Sequence, residues 1–134
     1  MATFHLQIVT PEGLKLDEEV ENIILRTING DVGILKGHIG YVSAIDAGRV
    51  KIKQDGTSRY GAASEGFIRV GKDMTTLVAT TFEWAEEIDT ERAQKSLDKA
   101  QSTLNGNSTN GETIDLAKLR QKRATVRIAV AAHK

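Results

Sequence analysis

The chain changes its apolar period once, near Trp84, and that switch divides it into two kinds of structure. Before it, apolar and polar residues alternate over short runs. In residues 3–9, Phe4, Leu6 and Ile8 share one face while His5 and Gln7 take the other, which is the period of a half-buried strand. Pro11-Glu12-Gly13 breaks that run. Residues 20–27 form a second run around Ile23, Ile24 and Leu25 and end at Asn29-Gly30. In residues 49–53, Val50 and Ile52 alternate with Arg49, Lys51 and Lys53, and Asp55-Gly56 then signals a tight hairpin into residues 58–63. Runs at 67–70 and 74–80 follow, separated by Gly71-Lys72-Asp73. Short strands with turn signals every eight to twelve residues or so predict a β-sandwich or barrel over residues 1–84.

After the switch the spacing is helical. Asp89 is placed to cap a helix, with Glu91 in the first turn where the helix dipole favours negative charge. Ala93, Leu97, Ala100 and Leu104 then recur at i, i+4, i+7 and i+11, a narrow apolar stripe that Asn105-Gly106 terminates. A polar loop over residues 105–111 separates this helix from a second, which starts at Thr113 or Asp115 and runs to Ala132. Its acids, Glu112 and Asp115, come first and its bases later. Leu116, Leu119, Ile128 and Val130 are its larger apolar residues, among many alanines. A short loop between two helices predicts an antiparallel α-helical hairpin over residues 85–134, so the class is α+β. Alanine buries little area, so such a hairpin docks lightly and is free to move.

Composition excludes several functions. Eighteen basic residues balance eighteen acidic ones, which leaves no global field for nucleic acid, although the last twenty residues are locally basic. There is no cysteine, so disulfides and thiolate chemistry are excluded. No apolar run approaches membrane-spanning length and the start of the chain is unlike a signal peptide, so membrane association is expected only through a partner, without insertion. His5, His38 and His133 are dispersed, and no metal site is expected. No phosphate loop, zinc-protease helix or nucleophile elbow is present, so no catalytic residue is named. Gly30, Gly33, Gly37 and Gly40 surround Val32, Ile34 and Leu35; because residues 41–44 read as a strand and not a helix, this segment reads as turns and bulges.

One constellation carries ligand chemistry. Asp89 and Arg92 lie at i and i+3, with Lys99 two turns further along the first helix, and Arg120, Arg123 and Arg127 share one face of the second. Folded together, the helices gather guanidinium forks suited to a polyphosphate; a solvated basic face is the alternative.

The ordered motifs resemble those of a known family. Residues 29–38 (NGDVGILKGH) resemble the "EGE-x-GILPGH" segment of bacterial F-type ATP synthase epsilon subunits, residues 64–70 (SEGFIRV) their "GGF-x-EV" strand, and residues 85–93 (AEEIDTERA) their "AE-x-x-ID-x-x-RA" helix start. Residues 6–13 also resemble the family's opening. Lys36 stands in place of proline, Ser64-Glu65 in place of the first glycine and its neighbour, and residues 39–41 depart from the "AP-L-L" run.

The resemblance implies a non-catalytic, central-stalk subunit of a proton-translocating synthase, held at the cytoplasmic face of the cell membrane through its complex. Its implied partners are gamma, the c-ring, and the alpha and beta subunits. The sandwich joins gamma to the c-ring, and the hairpin either folds on the sandwich or extends along gamma to inhibit ATP hydrolysis. No cofactor is required; ATP is implied as a regulatory ligand of the folded hairpin, at Glu83, Ile88, Asp89, Arg92, Ala93, Lys99, Arg123 and Arg127. Asp31 is assigned to a turn facing the c-ring and His38 to the gamma contact. Lys118, Arg120, Lys122, Arg123 and Arg127 form the inhibitory basic face. A free-standing ATP-binding sensor with a β-domain is the alternative function.

Overall fold

The computed structural model describes residues 2–37, 40–107 and 114–133. Ten strands come first: β1 (Phe4–Thr10), β2 (Gly13–Val20), β3 (Asn22–Thr27), β4 (Gly30–Leu35), β5 (Tyr41–Ile45), β6 (Gly48–Gln54), β7 (Thr57–Ala63), β8 (Gly66–Val70), β9 (Thr75–Ala79) and β10 (Phe82–Trp84). A short 3₁₀ turn over Ala85–Glu87 leads to α1 (Thr90–Ser102), a wider π-type turn over Thr103–Asn107, and α2 (Ile114–Ala131).

The strands follow the order β10-β7-β6-β3-β5-β8-β9-β1-β2, with β4 also on β3. β3 pairs β6 through its first half and β5 at Thr27↔Ile45, so it turns the corner between two layers. The described pairings are antiparallel except β1 with β9, which run parallel. Alternation does what the sequence pattern demands: in β6, Val50 and Ile52 point in while Arg49 points out. Leu6, Ile8, Ile23, Ile34, Ile68 and Leu77 meet between the layers at 0% exposure, completing an aliphatic core. Asp55 (φ 53°) and Gly56 (φ 75°) both take the left-handed conformation that a two-residue hairpin turn needs, closing Gln54 against Thr57.

Three sequence expectations change. The run assigned to residues 20–27 begins as β3 at Asn22, and Val20 belongs to a separate strand, β2, where three acids in succession hide a core face carried by Leu16 and Val20. The first part of the glycine-dense segment is a strand, β4, because Val32 and Ile34 pair with Leu25 and Ile23, and the pairing outweighs the weak strand preference of glycine, while Gly37 and Gly40 lie in turns as expected. β10 is a further strand, only three residues long, set against β7 with Phe82 and Trp84 facing the core.

The helices start as expected. The Asp89 carboxylate accepts a hydrogen bond from the Arg92 backbone N–H at 3.1 Å, capping α1. Regular α1 stops at Ser102, before Asn105, where the Thr103 hydroxyl bonds back to the Lys99 carbonyl at 3.2 Å and the turn widens. Residues 108–113, including most of the polar loop and Glu112, lie outside the described residues.

α2 lies on the outer face of β7. Val130 and Ala131 pack against Ala62, Ala85 and Ile88, flanked by Tyr60 and Val126. The buried residues of α1 and α2 also include Ala93, Ala100, Ala117 and Ala124. These are small contacts, each contributing well under the ~1.5–3 kcal/mol of a buried leucine or valine. At the far end, the His133 ring stacks on Tyr60 with centroids 4.1 Å apart.

Candidate functional site

Ion pairs rather than apolar bulk fasten α2 to the sandwich. Arg123 meets Glu65, in the turn between β7 and β8, with Nη2 2.5 Å from Oε2 and Nε 3.4 Å from Oε1. Arg127 meets Glu83 of β10, with Nε 2.7 Å from Oε1. Lys122 donates to Asp46, in the turn between β5 and β6. Arg59 lies over the Trp84 ring at 3.7 Å and reaches Glu86, bracing the junction of sandwich and helices.

Two grooves flank α2. One, of about 540 Å³, opens between both helices and the strand ends, and its wall includes Lys15, Arg92, Arg120, Arg123 and Arg127 with Glu12, Glu83 and Glu87. Thr10, Thr80, Thr81 and Ser96 add hydroxyls. Cations outnumber carboxylates here, and three of the arginines come from one helix face, as their i, i+3, i+7 spacing requires. Arg127 Nε is buried and makes no aligned hydrogen bond: Glu83 is close enough for charge attraction, but the N–H is not aimed at it. This cleft can hold a polyanion on guanidinium forks.

The other groove, about 550 Å³, is more apolar, with Ile24, Ala47, Val126 and Val130 in its wall. Lys118, Lys122 and Asp31 belong to it. The expected basic face is therefore divided between two flanks of the helix.

The remaining sequence candidates fall as follows. Glu83, Arg92, Arg123 and Arg127 share the first cleft. Asp89 serves as the α1 cap, while Ile88 and Ala93 are buried as packing residues. Lys99 is exposed on α1 and does not line the cleft. Asp31 is exposed, but it lies in β4 just past the Ile28-Asn29 turn, bonded to Arg26 at 2.7 Å, because that hairpin stays paired to its last residue. His38 lies outside the described residues. Sequence reasoning missed Glu65 and Asp46, whose partners are 58 and 76 positions away; for Glu65 the signal was its departure from the glycine of the family pattern.

The Asp46 carboxyl is held below its ordinary 3.8 by Lys122, with the Ala47 backbone N–H helping and burial opposing. Its pKa is depressed in the folded chain, so its stabilising contribution is present above about 3.8 and disappears as pH falls through the folded value. Hydrogen exchange of α2 amides should therefore be faster in Asp46→Asn than in the parent at pH 6, with the difference shrinking as pH falls below about 3.8 and gone once it is below the folded value. A difference that persists in acid would show that the pair does not hold the helix.

The comparisons with known proteins decide the family. Residues 3–85 match the model of the "ATP synthase, Delta/Epsilon chain, beta-sandwich domain", and residues 86–132 match the "long alpha-helix domain" of the same chain. The chain belongs to the ATP synthase delta/epsilon family. The ATP synthase epsilon chain of Ruminococcus albus is 41% identical over 98% of both chains. That of Staphylococcus saprophyticus is 42% identical, again over 98% of both. A chain in the cryo-EM structure of the Euglena gracilis mitochondrial ATP synthase (OSCP/F1/c-ring, rotational state 1) shares the fold, with a TM-score of 0.76 at 23% identity, covering 100% of this chain and 83% of that one. The epsilon resemblance carried by the ordered motifs is borne out, as is the order of sandwich then helices. No described helix of this delta/epsilon chain is long and apolar enough to cross a membrane.

Proposed function

We propose that this chain is the non-catalytic central-stalk subunit of a proton-translocating F-type ATP synthase, and that its folded hairpin is a nucleotide-sensing brake. Residues 1–84 join gamma to the c-ring, with Asp31 exposed on the β3–β4 hairpin toward the ring. Residues 85–134 form the lever. When extended along gamma, its basic residues meet acidic surfaces of the alpha and beta subunits and hydrolysis stops. The subunit is peripheral, held at the cytoplasmic face through the complex.

The observation that carries this reading is the arginine-lined cleft. Its wall draws on the sandwich (Thr81, Glu83), on α1 (Arg92) and on α2 (Arg123, Arg127), so the cleft exists only while the hairpin is folded. A ligand that binds only one of two states shifts the balance toward that state. ATP, with three phosphates for these guanidinium groups, therefore favours the folded, permissive form. Burial in the hairpin is alanine-rich and its fastenings are partly exposed ion pairs, so the two states lie close in free energy.

The test is a complex carrying the chain truncated after Glu86. Of the small apolar cluster at the junction, truncation uncovers Tyr60, Ala62 and Ala85, and the sandwich core cluster contains no helix residue, so the truncated subunit is expected to assemble. Tagged full-length and truncated chains should both co-elute with alpha, beta and gamma. ATP hydrolysis should rise about fivefold or more on truncation, the low end of ordinary coupling energies. Elution without partners, or unchanged hydrolysis, would sink the reading.

A further inference from the structure

Two of the cleft's second-helix arginines, Arg123 and Arg127, already hold carboxylates, and one of those carboxylates comes from outside the cleft. Glu65 sits in the turn between β7 and β8. Its backbone carbonyl accepts from the Thr80 N–H at 3.0 Å and from the Thr80 hydroxyl at 2.8 Å, while neighbouring Ser64 is tied to Thr81. The carboxylate is thus presented from a fixed backbone. Both its oxygens address one side of the Arg123 guanidinium, Nη2 and Nε, which is the fork-to-fork arrangement that two oxygens of a phosphate also adopt. Arg123 lines the cleft and Glu65 does not, so the guanidinium stands between a cleft ligand on one side and Glu65 on the other.

We infer that Glu65 is a resident competitor for the phosphate seat on Arg123: it tethers α2 to the sandwich when the cleft is empty and raises the nucleotide concentration needed to fill it. The inference rests on the reading of the cleft as a nucleotide site and names how that site is regulated. Glu65 occupies the Nε/Nη2 edge and leaves the Nη1 side to the cleft, but the two sides share one charge and the Nη2 nitrogen. An incoming phosphate therefore meets a guanidinium whose charge Glu65 already neutralises, and part of its binding free energy goes into loosening that contact. The exchange also keeps the helix fastened: where Glu65 releases Arg123, phosphate bridges Arg123 to the remaining walls. The lever is then held by a weak internal anion without nucleotide and by a stronger external one with it. Arg127 fits the same scheme, since its buried Nε donor is left without an aligned acceptor until a ligand supplies one.

The test is titration of the isolated full-length chain with ATP, comparing the parent with Glu65→Gln. Glutamine keeps the shape of the side chain and removes its charge. Loss of the tether also lowers the folded fraction of the hairpin, which weakens the apparent affinity by that fraction. Calorimetry therefore gives the apparent constant, hydrogen exchange of α2 amides without ATP gives the folded fraction, and their product is the intrinsic constant. The expected result is an intrinsic constant about three- to tenfold tighter in Glu65→Gln, the range for releasing a partly exposed charged fork. Binding by the parent with an equal or weaker intrinsic constant in Glu65→Gln would overturn this inference alone. Absence of ATP binding by both chains would overturn the nucleotide reading and this inference together.

Discussion

Gly66→Ala is expected to cost about 3 kcal/mol of folding free energy, roughly the upper end for forcing one methyl group into a packed site. Gly66 opens β8 opposite Ala79 of β9. A Cβ at this position would lie 1.9 Å from the Val78 carbonyl oxygen, 2.8 Å from its carbon and 2.9 Å from the Ala79 Cα. All three obstacles are backbone, so no side-chain rotation relieves them; β8 and β9 must part. Their parting pulls on Ile68 and Leu77, which pair further along and are fully buried, and on the Thr80–Glu65 backbone bond at the strand end. Thermal unfolding followed by circular dichroism should show a midpoint about 10 °C or more lower. Gly33→Ala supplies the control. Its Cβ would meet only the Ile24 side chain, at an ordinary 3.7 Å, so the change should be neutral or stabilising by up to about 1 kcal/mol. Equal midpoints for the two variants would show that β8 and β9 do not approach as closely as this geometry requires.

What the sequence discloses about this fold follows from how local each cause is. The Asp55-Gly56 turn and the Asp89 cap are settled by residues within three positions of one another, and both were legible. β10 was not, because alternation over Phe82, Glu83 and Trp84 is too short to register as a period until β7 pairs with it. β4 was hidden by its glycines, whose preference for turns is overruled only once Ile34 finds Ile23 across the pair. The candidate site divides in the same way. Spacing alone placed Arg120, Arg123 and Arg127 on one helix face, and the structure puts them in one cleft. Spacing could not decide between a solvated basic face and a ligand seat, because the acids that hold Arg123 and Arg127, Glu65 and Glu83, come from the sandwich 58 and 44 positions away. Lys99 keeps the helical register of Arg92 two turns on, yet it is exposed on α1 and lies outside the cleft wall.

Replacing both Arg123 and Arg127 with alanine is expected to weaken ATP binding by about a hundredfold or more, since two charge-assisted forks at ~1.5 kcal/mol or more each are lost together. These two side chains line one cleft from successive turns of one helix, and both are half-buried, where charge is less screened than at the open surface. The double alanine chain also gives up two of the fastenings between α2 and the sandwich, so a fall in affinity could arise from hairpin release alone. Lysine separates the causes. Arg123→Lys/Arg127→Lys retains both positive charges for Glu65 and Glu83, so the hairpin stays docked, but an ammonium cannot present two parallel donors to one phosphate. The lysine chain should keep α2 amide protection close to that of the parent while binding ATP about tenfold more weakly, in the range expected when a fork contact becomes a point contact. Alanine should lose both protection and binding. If lysine restores affinity fully, the cleft recognises charge alone and any compact anion could fill it. If alanine binds ATP as well as the parent does, the nucleotide lies elsewhere on the chain and the folded hairpin is held by its own ion pairs.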